Sequence, residues 1–173
     1  MIYTVEYSDR KTIGIYIKNG NVIVRAPKRA SQKVIESFVL KNEDWIKKHL
    51  EKSLKKAKFY DGITDDDKRR YKALAKEYFE SKTKEFADIM GIKYGRITIT
   101  SAKKRFGSCS SAGNISYSYL LYLYPECARE YVIVHELAHR VYMNHSPKFY
   151  QMIEQYMPDY KIRKKLLSIV PDI

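Results

Sequence analysis

The chain has 173 residues, 45% of them apolar and 31% charged, with a formal net charge of +13. That length and balance fit a folded chain with a sizeable core and exclude a polar disordered segment; the 2 cysteines, Cys109 and Cys127, exclude a disulfide-stapled scaffold. No run approaches the roughly 18 apolar residues that span a bilayer, so no membrane association is expected. Met1-Ile2-Tyr3-Thr4-Val5-Glu6 lacks the apolar stretch of a secretory signal, and the expected compartment is the cytoplasm.

Positive charge is unevenly spread. Residues 1–60 carry 14 basic and 6 acidic side chains, whereas residues 126–173 carry 7 and 6. Clusters such as Lys55-Lys56-Ala57-Lys58 and Lys103-Lys104-Arg105 predict attraction to an acidic partner, with nucleic acid as the candidate. The interspersed Glu and Asp fit solvated helix faces equally well, and no nucleic-acid-binding motif accompanies the clusters.

Residues 2–7, 12–18 and 21–26 are rich in Ile, Val, Tyr and Thr and predict a three-stranded antiparallel meander, with Asn19-Gly20 as a hairpin turn. Ser31 is the expected N-cap of a helix to about Lys41. Asn42 opens a second helix, whose Trp45, Ile46, His49, Leu50 and Leu54 recur at helical spacing. Residues 58–64, with Asp61-Gly62, read as a connector. Thr64 or Asp65 then starts a long helix to Met90, with Leu74, Tyr78, Phe79, Phe86 and Ile89 as its buried stripe and Gly91 as its stop. The alternation and β-branching of residues 96–101 predict a strand, and residues 105–123 hold two more. Pro125 suits the first turn of a helix to about Tyr142, Ser146-Pro147 starts another to about Tyr156, and Pro158 introduces a last short one.

Three of the 4 histidines fall between residues 135 and 145. In His135-Glu136-Leu137-Ala138-His139 the two histidines lie one helical turn apart on one face, so both imidazoles can reach one metal ion. Glu136, beside the first ligand, can then face a metal-bound water without being a ligand itself. The flanking Tyr131-Val132-Ile133-Val134 and Val141-Tyr142 make the helix apolar nearly all round and therefore buried, where histidines and a glutamate need polar partners. A metal supplies them.

His145 follows His139 by six residues, which a continuous helix would rotate to another face, so the chain must turn near Met143-Asn144 to bring it back. Three histidines leave the fourth tetrahedral position for water, the mark of a catalytic rather than a structural zinc. Glu154 is the alternative third ligand. Gly107, Ser108, Cys109 and Ser110 form a small polar stretch that either pairs with an extended peptide or serves only a tight turn. Asn144 is a candidate oxyanion donor beside backbone amides and tyrosines. Cys109 is a candidate nucleophile or fourth ligand, against a plain buried thiol.

Taken together, Arg105-Phe106-Gly107-Ser108-Cys109-Ser110-Ser111, Gly113-Asn114-Ile115, the His135–His139 motif and Asn144-His145-Ser146 with Phe149 resemble the YgjP-like family of zinc-dependent metallopeptidases. That family is related more distantly to SprT-like proteases. Two positions depart from its pattern: Phe106 and Tyr150 stand where Trp is common. The resemblance implies one zinc per chain on His135, His139 and His145, Glu136 as catalytic base, and a zincin-like α+β fold with a small antiparallel sheet packed on the active-site helix. The expected organisation is an N-terminal subdomain over residues 1–60 and a catalytic region over 61–173, together one compact unit.

The expected activity is hydrolysis of peptide or unfolded protein by Glu136-assisted attack of a zinc-bound water. Two other readings stay open at this level: a zinc hydrolase of a non-peptide amide or ester, and a nucleic-acid-associated module with a structural zinc.

Overall fold

Strand β3, Asn21–Pro27, organises the N-terminal part of the chain, because Val22, Val24 and Ala26 all point to one face and are buried there. The structure is a computed structural model describing residues 1–18 and 20–171, and it divides into two units, Met1–Gly62 and Ile63–Pro171. In the first unit β3 lies between β1, Thr4–Ser8, and β2, Gly14–Lys18. β2 pairs with β3 antiparallel, with Lys18 opposite Asn21, but β1 runs parallel to β3, with Thr4 opposite Ile23. A mixed sheet of order β1-β3-β2 therefore stands where the sequence predicts an antiparallel meander. β3 has the longest run of inward apolar positions and takes the centre, while residues 9–13 carry the chain across to the far edge. Asn19 of the expected turn lies outside the described residues. Gly20 has a φ of 76°, and a Cβ there would come within 2.8 Å of Leu54 Cδ2.

Helices α1, Gln32–Lys41, and α2, Glu43–Asp61, close this core with Ile35, Val39 and Ile46. Ser31 and Asn42 occupy the expected N-cap positions, yet neither side chain caps its helix; Asn42 Nδ2 donates back to Phe38 O at 2.7 Å. α2 continues through residues 58–61, where the sequence predicts a connector, because Gly62 keeps a right-handed conformation and its N–H donates to Lys58 O. His49 packs by stacking on Trp45, 4.0 Å between centroids. Part of the basic charge on α2 is met within the helix, Lys47 by Glu43 and Lys55 by Glu51, one turn apart.

The second unit begins with α3, Asp65–Met90. Its N-terminus is fixed by a capping box: Asp67 N–H donates to Thr64 Oγ1 at 3.1 Å, and Thr64 N–H donates to Asp67 Oδ2 at 3.1 Å. Gly91, at φ 64°, ends it as expected. The buried stripe is Ala75, Phe79, Thr83, Ala87 and Met90; Phe79 is buried as predicted, but Leu74, Tyr78 and Phe86 only flank the core and Ile89 is exposed, so those four lie about one residue off the buried line. Small residues let the neighbouring chain approach there. Tyr117 stacks on Phe79 at 4.5 Å, and its hydroxyl lies 3.1 Å from that of Thr83.

Tyr117 belongs to β6, Ile115–Ser118, the central strand of a second sheet of order β4-β6-β5. β4, Ile97–Thr100, runs parallel to β6, and β5, Gly107–Cys109, runs antiparallel, so this sheet too is mixed rather than antiparallel. The residues after β6 form a short 3₁₀ helix, Tyr119–Leu123. Three helices follow: α4, Glu126–Ala138; α5, Pro147–Tyr156; and α6, Tyr160–Leu166. The class is α+β, as the sequence predicts. Among the described residues no helix is long and apolar enough to cross a membrane.

Only one of the predicted caps forms a capping hydrogen bond, so the two serine/threonine positions should respond differently. Thr64→Ala should lower the unfolding free energy by about 1 kcal/mol, and Ser31→Ala by much less, in parallel urea denaturation curves.

Candidate metal centre

α4 is buried on almost every side: Tyr131, Val132, Ile133, Val134, Leu137 and Ala138 are all covered, and so is Glu136, at 4% exposure. The helix stops at Ala138, short of the predicted end near Tyr142. Its last turn tightens, with Arg140 N–H donating to Leu137 O, and the Val141 and Tyr142 N–H groups both donating to Ala138 O. The chain then bends at Met143-Asn144, where the sequence requires it to turn.

That bend returns the exposed His145 to the half-buried His135 and His139. One ligand nitrogen from each of the three lies within 4.8 Å of the others, and His135 Nε2 and His145 Nε2 are 3.1 Å apart. Tetrahedral zinc with bonds of about 2.0–2.1 Å needs donor nitrogens roughly 3.3 Å from one another, so this pair is close to the spacing required. The ring of Phe149, fully buried on α5, packs beneath all three imidazoles, with centroids 4.6–4.9 Å away. His139 Nδ1 lies 3.0 Å from Tyr142 O; a carbonyl can only accept, so the ring donates there and leaves Nε2 free as a ligand. His135 Nδ1 is 3.4 Å from the Tyr131 hydroxyl.

Burial first, then the neighbouring His139, His145 and Lys164, hold the His135 imidazole far below its ordinary range, at about 3. Burial also lowers His139, opposed by its bond to Tyr142. Both rings are therefore neutral near pH 7, the state in which an imidazole binds metal.

Glu136 faces the other way in charge terms. Burial pushes its carboxyl up to about 7, tempered by Arg105, and its Oε2 has no hydrogen-bond partner. The carboxylate lies against Gly107 of β5. A Cβ at position 107 would stand 2.5 Å from Glu136 Oε1 and 2.8 Å from Cγ and Cδ, so glycine is required there by contact rather than by backbone conformation. Three converging imidazoles, two of them held neutral by burial, beside a buried carboxylate oxygen with no partner fit a divalent cation that leaves room for water.

The remaining candidates separate into two groups. Ser110 closes a tight turn: Gly113 N–H donates to Ser110 O, and Asn114 N–H donates to Ser110 Oγ. Gly107, Ser108 and Cys109 form the edge strand instead. Cys109 lies outside the histidine group, its thiol pushed up by burial and lowered by Arg140. Asn144 is exposed on the bend beside His145. Glu154 faces Lys161 at 3.8 Å and is also outside the group.

Residues that the motif does not announce hold the site in place. Arg140 donates to Lys93 O at 3.2 Å and to Ser111 O at 3.1 Å, pinning the 110–114 turn to the end of α4. Gly113 makes room for it: φ is 85°, and a Cβ would lie 2.7 Å from Arg140 Cζ. A cleft of about 400 Å³ opens beside His135 and Glu136, walled by Phe106, Tyr131, Val132 and Leu167, with Lys164 on its rim.

The model of the family described as "YgjP-like, metallopeptidase domain" matches residues 11–65 and 61–169. Among solved structures the chain is similar to the metallopeptidase zymogen abylysin of Pyrococcus abyssi, with 23% identity, 51% of this chain and 90% of that chain covered, and a TM-score of 0.48. The comparison with curated proteins finds no match.

The buried carboxyl gives a pH signature in metal-free protein. Glu136 titrates near the usual 4.5 when unfolded and at about 7 when folded, so the folded state holds the extra proton and loses stability as pH rises from 4.5 through 7. Gln has no such cost. The stability of Glu136→Gln relative to the parent should therefore rise by about 2–3 kcal/mol between pH 4.5 and pH 8 in denaturant titrations with chelator. Gly107→Ala should cost about 1–3 kcal/mol in the same assay, because the carboxylate must move.

Proposed function

This chain belongs to the YgjP-like metallopeptidases, and from that premise we propose that it cuts peptide bonds using one zinc ion held by His135, His139 and His145, with Glu136 as general base. The observation that carries the reading is the convergence of three imidazole donors beside a buried carboxylate oxygen that has no protein partner. Zinc bound there supplies a Lewis acid that polarises the scissile carbonyl and makes water acidic enough to act near neutral pH.

The chain's own residues do the rest. Glu136 takes the proton of the attacking water and hands it to the departing amine. Gly107 keeps the space above Glu136 clear. Asn144, exposed on the bend beside His145, stands with nearby tyrosines and backbone amides as a proposed donor to the developing oxyanion.

β5 gives the substrate a place to lie. Ser118 N–H donates to Phe106 O, and Ser110 N–H to Asn114 O, so residues 106, 108 and 110 turn their backbone groups toward β6. By the alternation of an antiparallel ladder, Gly107 and Cys109 turn theirs to the sheet edge. An extended segment of peptide or unfolded protein can pair there, next to Glu136.

Metal-loaded protein should generate new termini in a denatured protein mixture. Glu136→Gln should keep one equivalent of zinc while losing activity by about 10²–10⁴-fold, and His145→Ala should lose zinc itself. Cleavage that persists in Glu136→Gln would remove this residue from the mechanism.

A further inference from the structure

α6 presents a row of cations, and their surroundings differ. Arg163 is neutralised by Glu130 at 2.6 Å and Asp159 at 2.8 Å, and Lys161 faces Glu154. Lys164 and Lys165 are exposed, and among the described residues neither has a carboxylate within ion-pair distance. Lys164 Nζ sits 5.4 Å from the centre of the Tyr150 ring. Residues 126–173 carry 7 basic and 6 acidic side chains, so little of the chain's +13 excess lies in this stretch.

Their position relative to the metal centre matters more. Lys164 and Ser168 line the cleft that holds His135 and Glu136, and they also line an adjoining cleft of about 470 Å³ formed by Tyr150, Tyr160, Lys161 and Lys165. A chain segment leaving Glu136 along this path crosses an apolar stretch and then meets Lys164, with Lys165 beyond. α6 is held rigidly for the task by the Arg163–Glu130 pair and by stacking of Tyr160 on Tyr131 and Tyr150, with centroids 6.3 and 6.0 Å apart.

We infer that Lys164 and Lys165 form a carboxylate-binding subsite, and that preferred substrates bring a carboxylate, from a Glu or Asp side chain or from a free C-terminus, to this position near the scissile bond. The two ammonium groups attract that carboxylate and repel a basic residue, so they discriminate by repulsion as well as attraction. The inference rests on the peptidase reading above and adds its substrate class.

Binding to the inactive Glu136→Gln protein loaded with zinc tests the inference apart from turnover. The probes are dansyl-labelled alanine-rich octapeptides in three forms: one Glu scanned through the sequence with an amidated C-terminus, the Gln counterparts amidated, and a Gln peptide with a free C-terminus. At 50 mM salt, Glu at one position should tighten Kd three- to tenfold over Gln if a side chain is read. The free acid should show that gain if a C-terminus is read. Adding Lys164→Ala and Lys165→Ala should bring acidic and neutral forms within twofold, and Lys164→Glu should reverse the order in favour of a Lys-containing peptide. Equal binding of all forms, or a preference that survives both alanine substitutions, overturns the subsite. Cleavage by the parent enzyme is scored separately on all three forms: cleavage of any of them keeps the peptidase reading even if the subsite fails, and cleavage of none, together with tight acidic binding, would sink that reading alone.

Discussion

Burying charge-capable groups on a helix with almost no exposed side is the constraint from which the rest of the second unit follows. Desolvation drives the imidazoles of α4 toward neutrality and holds a proton on Glu136, so without a cation the helix carries polar groups in their less costly forms. A divalent ion inverts that balance. It favours the neutral rings already present and rewards an ionised carboxyl beside them. The surrounding architecture serves this exchange: Phe149 floors the imidazoles, Tyr142 O fixes one tautomer, and glycine at 107 lets a carboxylate reach the sheet.

How much of this was legible in the chain depended on the range of the interactions. The pairing of His135 with His139 is set by helical pitch, and His145 needed only a turn within six residues, so short-range geometry fixed the expectation. Thr64 and Gly91 bracket α3 for the same reason, since capping is local. Strand order was not legible. That β1 lies parallel to β3, and β4 parallel to β6, is decided by which strand is buried deepest, and antiparallel and parallel partners have the same alternation. Apart from Phe79, the expected stripe of α3 was off by one residue because Ala75, Thr83 and Ala87 are buried by close approach rather than by bulk, and their hydropathy does not advertise it.

Gly107 shows a different kind of illegibility. A glycine between Phe106 and Ser108 reads as a bend or as part of a substrate groove, and its edge-strand position is compatible with the latter. The contact that requires it comes from Glu136, twenty-nine positions later in the chain. Arg140 is similar: its two bonds to Lys93 O and Ser111 O cannot be read from a residue that merely follows the second histidine of the motif.

The three imidazoles come from two mechanically different places, two from a tightly packed helix and its C-cap and one from an exposed bend farther on. An ion gripping all three is then a cross-link as well as a reagent, fastening residues 143–146 to the interior. Its departure would free that segment to open on its own, at a cost well below that of unfolding the whole unit. The bend's lifetime in the closed state would thus be set by the ion's residence time, and an unloaded molecule would offer its surface loop to proteolysis.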